Sequence, residues 1–133
     1  MGEPILETSS KIAGTTILDI SQNGIKMEIN RTGQTKGKYH SNDTSTTTIW
    51  NKTDGTSEWE SKGIQMTHAG DFIAAWGKGT GKPTGPTSQA WEGEMHCMTQ
   101  FPKLAWMNAA TFWIEGTGDQ AKGESHAKIY QKM

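Results

Sequence analysis

Residues 71–98 read DFIAAWGKGTGKPTGPTSQAWEGEMHCM, and this stretch decides the fold. Two segments of alternating side chains flank a loop that is rich in glycine and proline. Trp76 lies at the end of the first segment, and Trp91 opens the second. A strand, a broad loop and a returning strand give this pattern in a small antiparallel barrel. The stretch therefore predicts a β-hairpin with a wide connection.

Similar hairpin signals occur on both sides of this stretch. Residues 12–20 read as a strand, which ends before Asn23-Gly24, a pair that tolerates the positive φ of a tight turn. The other predicted strands are 25–30, 44–50, 56–67, 72–77, 88–100, 110–117 and 123–132, with a thin strand followed by a loop at 32–43 and a loose arm or the start of an edge strand at 1–11. Pro102 suits the first turn of a short helix at 101–108.

The order of these segments predicts the architecture. About eight strands follow one another through hairpin-sized turns, and no helix-length apolar period interrupts them. We expect an all-β fold, a single antiparallel eight-stranded up-and-down β-barrel with at most one short helix, formed by one domain of residues 1–133. A β-sandwich is the rival, but it would need a long Greek-key crossover, and none is evident.

Composition excludes several classes of protein. The chain has 13 Lys+Arg against 14 Asp+Glu, so no basic excess predicts a nucleic-acid partner. No apolar run reaches the length of a membrane span, and no signal peptide is visible, so a cytoplasmic location is expected. Cys97 is the single cysteine, which rules out an intrachain disulfide. It shares a strand face with Trp91 and Met95, which predicts a buried, inert thiol.

Two features resemble functional motifs but lack residues or spacings that those motifs require. The glycine-rich segment 77–83 lacks the first glycine of a phosphate-binding loop, and Pro83 replaces the hydroxyl residue that such a loop needs. The four histidines are too scattered to write a metal site from spacing, because zinc sites show closely paired ligands. The sequence therefore predicts no cofactor and no metal.

Three carboxylates are the candidates for catalysis. Glu92 and Glu94 share one strand face with His96, and Glu115 lies on the aromatic strand 110–117. Charged residues usually lie on a solvated outer face. Inside the barrel, desolvation would instead raise a carboxyl pKa and make the group a general acid or base. The sequence leaves both alternatives open.

The tryptophans are the candidates for ligand binding. An eight-stranded barrel is just wide enough for its interior side chains, so the indoles can simply fill it. Alternatively, several of them line a pocket for one apolar molecule. The predicted ligand-binding residues are Trp59, Trp76, Trp91, Trp113 and His96, with Glu92 or Glu94 orienting the ligand.

The turns and aromatics also resemble a known group of proteins. The residues that carry the resemblance are Trp76-Gly77, Gly79, Gly81, Gly85-Pro86, Trp91, Gly93, Lys103-Leu104-Ala105, Asn108, Glu115, residues 56–63, Met66-Thr67 and Gly70-Asp71. The chain resembles small uncharacterised prokaryotic proteins of the allene oxide cyclase-like β-barrel superfamily, over roughly residues 49–132. The resemblance implies an eight-stranded barrel with a hydrophobic cavity and frequent self-association. The cyclase's own acid and water-holding residues have no match here, so its activity is not implied.

Three functional hypotheses follow. The first is a barrel that binds a small, largely apolar ligand in a tryptophan-lined lumen. The second is an isomerase or cyclase that uses a buried glutamate as general acid or base. The third is a structural or oligomeric interaction domain, a homo-dimer or homo-trimer, which docks through the aromatic residues at 101–106.

Overall fold

The computed structural model describes residues 2–132 and shows a closed antiparallel barrel in which each strand pairs with the next and the last pairs with the first. The strands are β1 Leu6–Ser21, β2 Gly24–Gly37, β3 Ser41–Lys52, β4 Ser57–Thr67, β5 Phe72–Pro83, β6 Ser88–Thr99, β7 Thr111–Asp119 and β8 Glu124–Gln131. One 3₁₀ helix of about two turns, Pro102–Asn108, lies between β6 and β7. The predicted fold class is confirmed, and pairing of β1 with β8 excludes the sandwich.

Two predicted boundaries were wrong, and the thin strand followed by a loop at 32–43 was confirmed. Residues 6–11, expected as a loose arm or edge, form the part of β1 that closes the ring against β8. The polar segment after residue 30 is regular strand as far as Gly37. The predicted broad loop after Gly77 is strand as far as Pro83, which leaves residues 84–87 as the connection. The glycines in this segment pair directly with β4 and β6.

Glycines on β5, β6 and β7 make room for two indoles inside the barrel. A Cβ added at Gly79 or Gly93 would lie 2.7 or 2.6 Å from Cζ2 of Trp59. A Cβ added at Gly116 would overlap the ring of Trp91. These three positions therefore lack an inward side chain because the tryptophans occupy that space.

The 3₁₀ helix covers one end of the barrel. Leu104 and Met107 are buried against the core, and the ring of Trp106 lies edge-on to Phe112 at 6.1 Å. Asn108 fastens the helix to β6, since its side chain accepts from the Thr99 amide at 2.8 Å and donates to the Thr99 carbonyl at 3.0 Å. Among residues 2–132, no helix has the length and apolar character that a membrane crossing would require.

The strands of the barrel are staggered, and the accumulated offset shows where β1 meets β8. Following cross-strand partners once around the ring from Ile20 leads back to β1 at Thr8. As a result, β1 pairs with β8 only from Leu6 to Lys11, and its remaining length pairs with β2 alone. Residues 13–27 therefore form a hairpin that extends past the pairing of β1 with β8, and we call this segment the arm.

Candidate functional site

The interior of the barrel contains a cavity of about 150 Å³. Its walls differ in chemistry. The side chains that define an aromatic wall are Trp59, Trp91, Ile49, Met95 and Ile114. The side chains that define a polar wall are Arg31, Asp43, Ser45, Thr47 and Ser61. The polar wall residues lie at inward positions of β2–β4, which also carry the apolar Ile49 and Trp59, whereas the residues that β6–β8 add to the cavity wall are mostly apolar.

The aromatic wall is rigidly built. The rings of Trp59 and Trp91 meet edge-to-face, with centroids 5.7 Å apart and planes at 82°. Trp59 is fixed further because its indole N–H donates to the Thr80 carbonyl at 3.2 Å. The two indoles present an apolar surface that needs no rearrangement to accept a ligand.

Arg31 is the positive charge of the polar wall. Its Nη1 donates to Thr47 Oγ1 at 3.1 Å, and Thr47 in turn donates to Ser61 Oγ at 3.1 Å. The Nε atom is buried and has no hydrogen-bond partner within residues 2–132. No carboxylate of the described chain lies within 4.0 Å of this guanidinium. Burial lowers the pKa of Arg31 from its ordinary value, since no nearby anion offsets the loss of water.

Asp43 belongs to a hydrogen-bonded chain in the same wall. Its two carboxylate oxygens accept from Thr35 and Ser41. Thr35 also accepts from Gln65 at 3.1 Å, and Gln65 accepts from the hydroxyl of Tyr39. Burial raises the pKa of Asp43, and the two hydroxyl donors oppose that shift. Burial is also the main reason that the pKa of Tyr39 is raised.

Three of the five predicted ligand-binding residues border the cavity, and two of them, Trp59 and Trp91, point their side chains into it. Trp59 and Trp91 line it, whereas Trp113 lies on the outer surface and donates from its indole to Glu115 at 3.1 Å. The Trp76 side chain points the other way from the inward Ala75. It is 46% exposed and stacks on His96 with ring centroids 6.0 Å apart.

The three candidate catalytic carboxylates lie outside the barrel. Glu92 and Glu94 alternate with the inward Trp91 and Met95, so their side chains point to the outer face. Glu94 forms an exposed ion pair with Lys132 at 3.5 Å, and Glu115 pairs across the strands with Glu92. None of the three therefore supplies the interior carboxylate that the acid–base hypothesis requires.

Sequence reasoning missed Arg31 and Asp43, although a signal existed for each. Arg31 is the sole arginine of the chain, and it is in phase with Ile25, Met27 and Ile29, the apolar face of an alternating strand. Asp43 is in phase with Ile49 on β3. Charge in phase with apolar residues marks an inward polar group. In the described part of the chain, no group of three or more His, Cys, Asp or Glu side chains could hold a metal ion.

Comparisons with known proteins match the fold and carry no function. No protein-family model matches the chain, and no curated protein does. The chain is similar to the structure of a protein of unknown function from Clostridium acetobutylicum, with TM-score 0.82, 14% identity and 98% of each chain covered. It is also similar to a β-barrel-like protein from Acinetobacter baumannii, with TM-score 0.77 and 18% identity, covering 97% of this chain and 93% of that one.

A further similar structure is described as an enzyme. It comes from Penicillium herquei, with TM-score 0.65 and 20% identity, and the match covers 98% of this chain and all of that one. At such identities, the likeness extends to the small β-barrel fold alone.

Proposed function

We propose that this barrel binds a small, largely apolar molecule in its interior cavity. The observation that supports the proposal is the pairing of two fixed indoles with an opposite polar wall around a cavity of about 150 Å³. An apolar cavity of roughly this volume accommodates a ligand the size of benzene. The ligand contacts are the aromatic-wall residues, and Trp59 and Trp91 are the central ones.

A cavity-filling variant tests this proposal without removing any binding group. Ala75 lines the cavity, whereas its neighbour Ala74 points to the outer face. We expect benzyl alcohol and toluene to bind the wild-type protein in calorimetry, Ala75→Leu to abolish that binding, and Ala74→Leu to leave it unchanged. Failure of both probes to bind the wild-type protein, or equal binding by Ala75→Leu, would contradict the proposal.

A second candidate function is isomerase or cyclase chemistry, which one observation favours. Asp43 borders the cavity, and burial raises its pKa, as a general acid or base near neutral pH requires. Kinship with allene oxide cyclase-like barrels is part of this second proposal and is based on the turn and glycine pattern. Exchange of solvent deuterium into the carbon acid phenylacetone, followed by NMR, tests it. Exchange that is equally fast with Asp43→Asn, or absent in the wild-type protein, would remove Asp43 from this role.

We also propose that the protein self-associates through the arm. Ile20 pairs with Ile25 on the face that is continuous with the lumen-facing Ile29, yet Ile20 is 68% exposed and Ile25 41%. The arm has apolar residues on this face and Thr16, Asp19, Lys26 and Glu28 on the other. An amphipathic hairpin with an uncovered apolar face and an unpaired edge favours a second copy as its partner.

A further inference from the structure

Arg31 places a positive charge inside the barrel, and no carboxylate of the described chain pairs with it. A guanidinium has five N–H donors, and one hydrogen bond to a side chain, on Thr47, is found for this one within residues 2–132. Its Nε is buried without a partner. Arg31 as a whole is half-buried, and a charge that is partly removed from water without an anionic partner is costly. An anion that completed this pairing would lie beside Arg31, at the polar wall of the cavity.

The nearest inward carboxylate does not supply that anion. Asp43 lies two pairs further along the register, opposite Gly33 rather than opposite Arg31. Both of its oxygens already accept hydroxyl groups, from Thr35 and Ser41. Burial and these hydroxyl groups account for the pKa of Asp43, and no cation contributes to it. Arg31 and Asp43 are therefore separate polar groups on one wall.

The surroundings of Arg31 suit a small planar anion. Ser45 lies directly opposite Arg31 on β3, Thr47 accepts from the guanidinium, and Ser61 accepts from Thr47, so the wall beside the guanidinium carries hydroxyl groups. A guanidinium matches a carboxylate because two parallel N–H groups meet two oxygens. The aromatic wall across the cavity would contact the apolar part of the same molecule. The volume of about 150 Å³ limits that part to about one ring.

We propose that the ligand of this barrel is a small organic carboxylate, whose carboxylate is bound by Arg31 and whose apolar body lies against Trp59 and Trp91. This inference rests on the proposed binding function and specifies its ligand class. It also explains why a lone arginine is placed on the apolar face of β2. The bound anion would satisfy the guanidinium and offset the cost of burying it.

Benzoate and benzyl alcohol form the matched probe pair, since they differ mainly in the anionic group. We expect benzoate to bind the wild-type protein at least about tenfold more tightly in calorimetry, the gain typical of a charge-assisted hydrogen bond. Arg31→Met removes the charge at similar volume and should abolish the preference while retaining benzyl alcohol binding. Lys26→Met removes a positive charge from the outer face of the same strand and should leave the preference intact.

Thermal unfolding is a second measurement, and it does not require any variant to bind a ligand. Benzoate should raise the Tm of the wild-type protein but not of Arg31→Met, and Arg31→Met without ligand should melt at the same or a higher temperature, because an unpaired buried charge is gone. Equal binding of both probes by the wild-type protein, or an undiminished preference in a folded Arg31→Met, would overturn the carboxylate inference and leave the binding function standing. Binding of neither probe would overturn both.

Discussion

At the scale of single residues, Trp91 occupies space that only glycine at position 116 leaves open. In Gly116→Ala, the new methyl group would overlap the indole, and the ring is held by Trp59 on its other side. We expect the free energy of unfolding to fall by about 1–3 kcal/mol, the usual cost of overpacking a core. Urea unfolding followed by circular dichroism measures this loss.

Gly118 provides the matched control, since it lies two positions further on the same strand and face. A Cβ there would make its closest contact at 3.6 Å, an ordinary van der Waals distance. Gly118→Ala should therefore change the free energy of unfolding by less than about 0.5 kcal/mol, as substitutions without a steric cause usually do. Equal stability of the two variants would show that the indole can move, and the aromatic wall would then not be rigid.

Cys97 is buried, as the sequence predicted, and burial raises the pKa of its thiol to about 11. Only about 10⁻⁴ of the thiol is then ionised at pH 7, so a thiolate-directed disulfide reagent should label the folded protein very slowly and the urea-unfolded protein fast. The ordinary pKa is 9.0, so the unfolded chain loses this proton first as pH rises. This group therefore makes the folded state less stable between about pH 9 and 11. Rapid labelling at pH 7 would contradict the buried position.

The limits of sequence prediction are clearest at β6. One face of this strand carries the apolar Trp91 and Met95, and the other carries Glu92, Glu94 and His96. The inner wall of this barrel is half polar, and hydrophobicity alone therefore cannot orient such a strand. Arg31, by contrast, was predictable from its phase with Ile29.

At the scale of elements, β5 shows how a strand can look like a loop. The segment 77–83 is rich in glycine, which is depleted in strands because it has no side chain to pack. Here a side chain of another strand fills the space that the glycine leaves, since Trp59 of β4 extends over Gly79. The contact between Trp59 and Gly79 joins residues that are distant in the sequence, so a local sequence pattern cannot predict it.

The 3₁₀ helix depends on one side chain for its attachment to β6. Asn108 replaces a missing backbone partner for both the amide and the carbonyl of Thr99. In Asn108→Ala, both groups would lose their partner, and we expect a loss of about 1–3 kcal/mol in the free energy of unfolding. Chemical denaturation measures it. Lys103→Ala, an exposed change in the same helix, should be nearly neutral, and a comparable loss there would assign the effect to helix propensity instead.

At the scale of the whole molecule, the ring could be predicted because successive hairpin signals leave a meander as the simplest topology. The particular pairs that close it could not, because they join residues 6–11 to β8 across the full length of the chain. The stagger that leaves the arm uncovered is a property of the closed ring. It follows from register summed over eight pairings rather than from the residues of the arm.

The arm exposes an apolar surface that favours self-association. Its large apolar side chains, Ile17, Leu18, Ile20 and Ile25, are 41–68% exposed. They amount to a patch on the order of 400 Å², within the range that marks interaction sites on monomers. Covering two such patches would yield about 20 kcal/mol of gross transfer free energy, more than the roughly 4–15 kcal/mol lost on association. We therefore expect a dimer or larger assembly in sedimentation equilibrium.

Two lysines on the apolar face should dissolve that assembly. In the variant Ile17→Lys, Ile20→Lys, like charges would meet across the interface, and we expect the mass of a monomer with an unchanged β-sheet spectrum, because these residues lie beyond the pairs that close the ring. Thr16→Lys adds charge on the polar face of the same strand and should leave the assembly intact. A wild-type protein that sediments as a monomer at every concentration, or a double variant that keeps the wild-type mass, would show that the arm is not the interface.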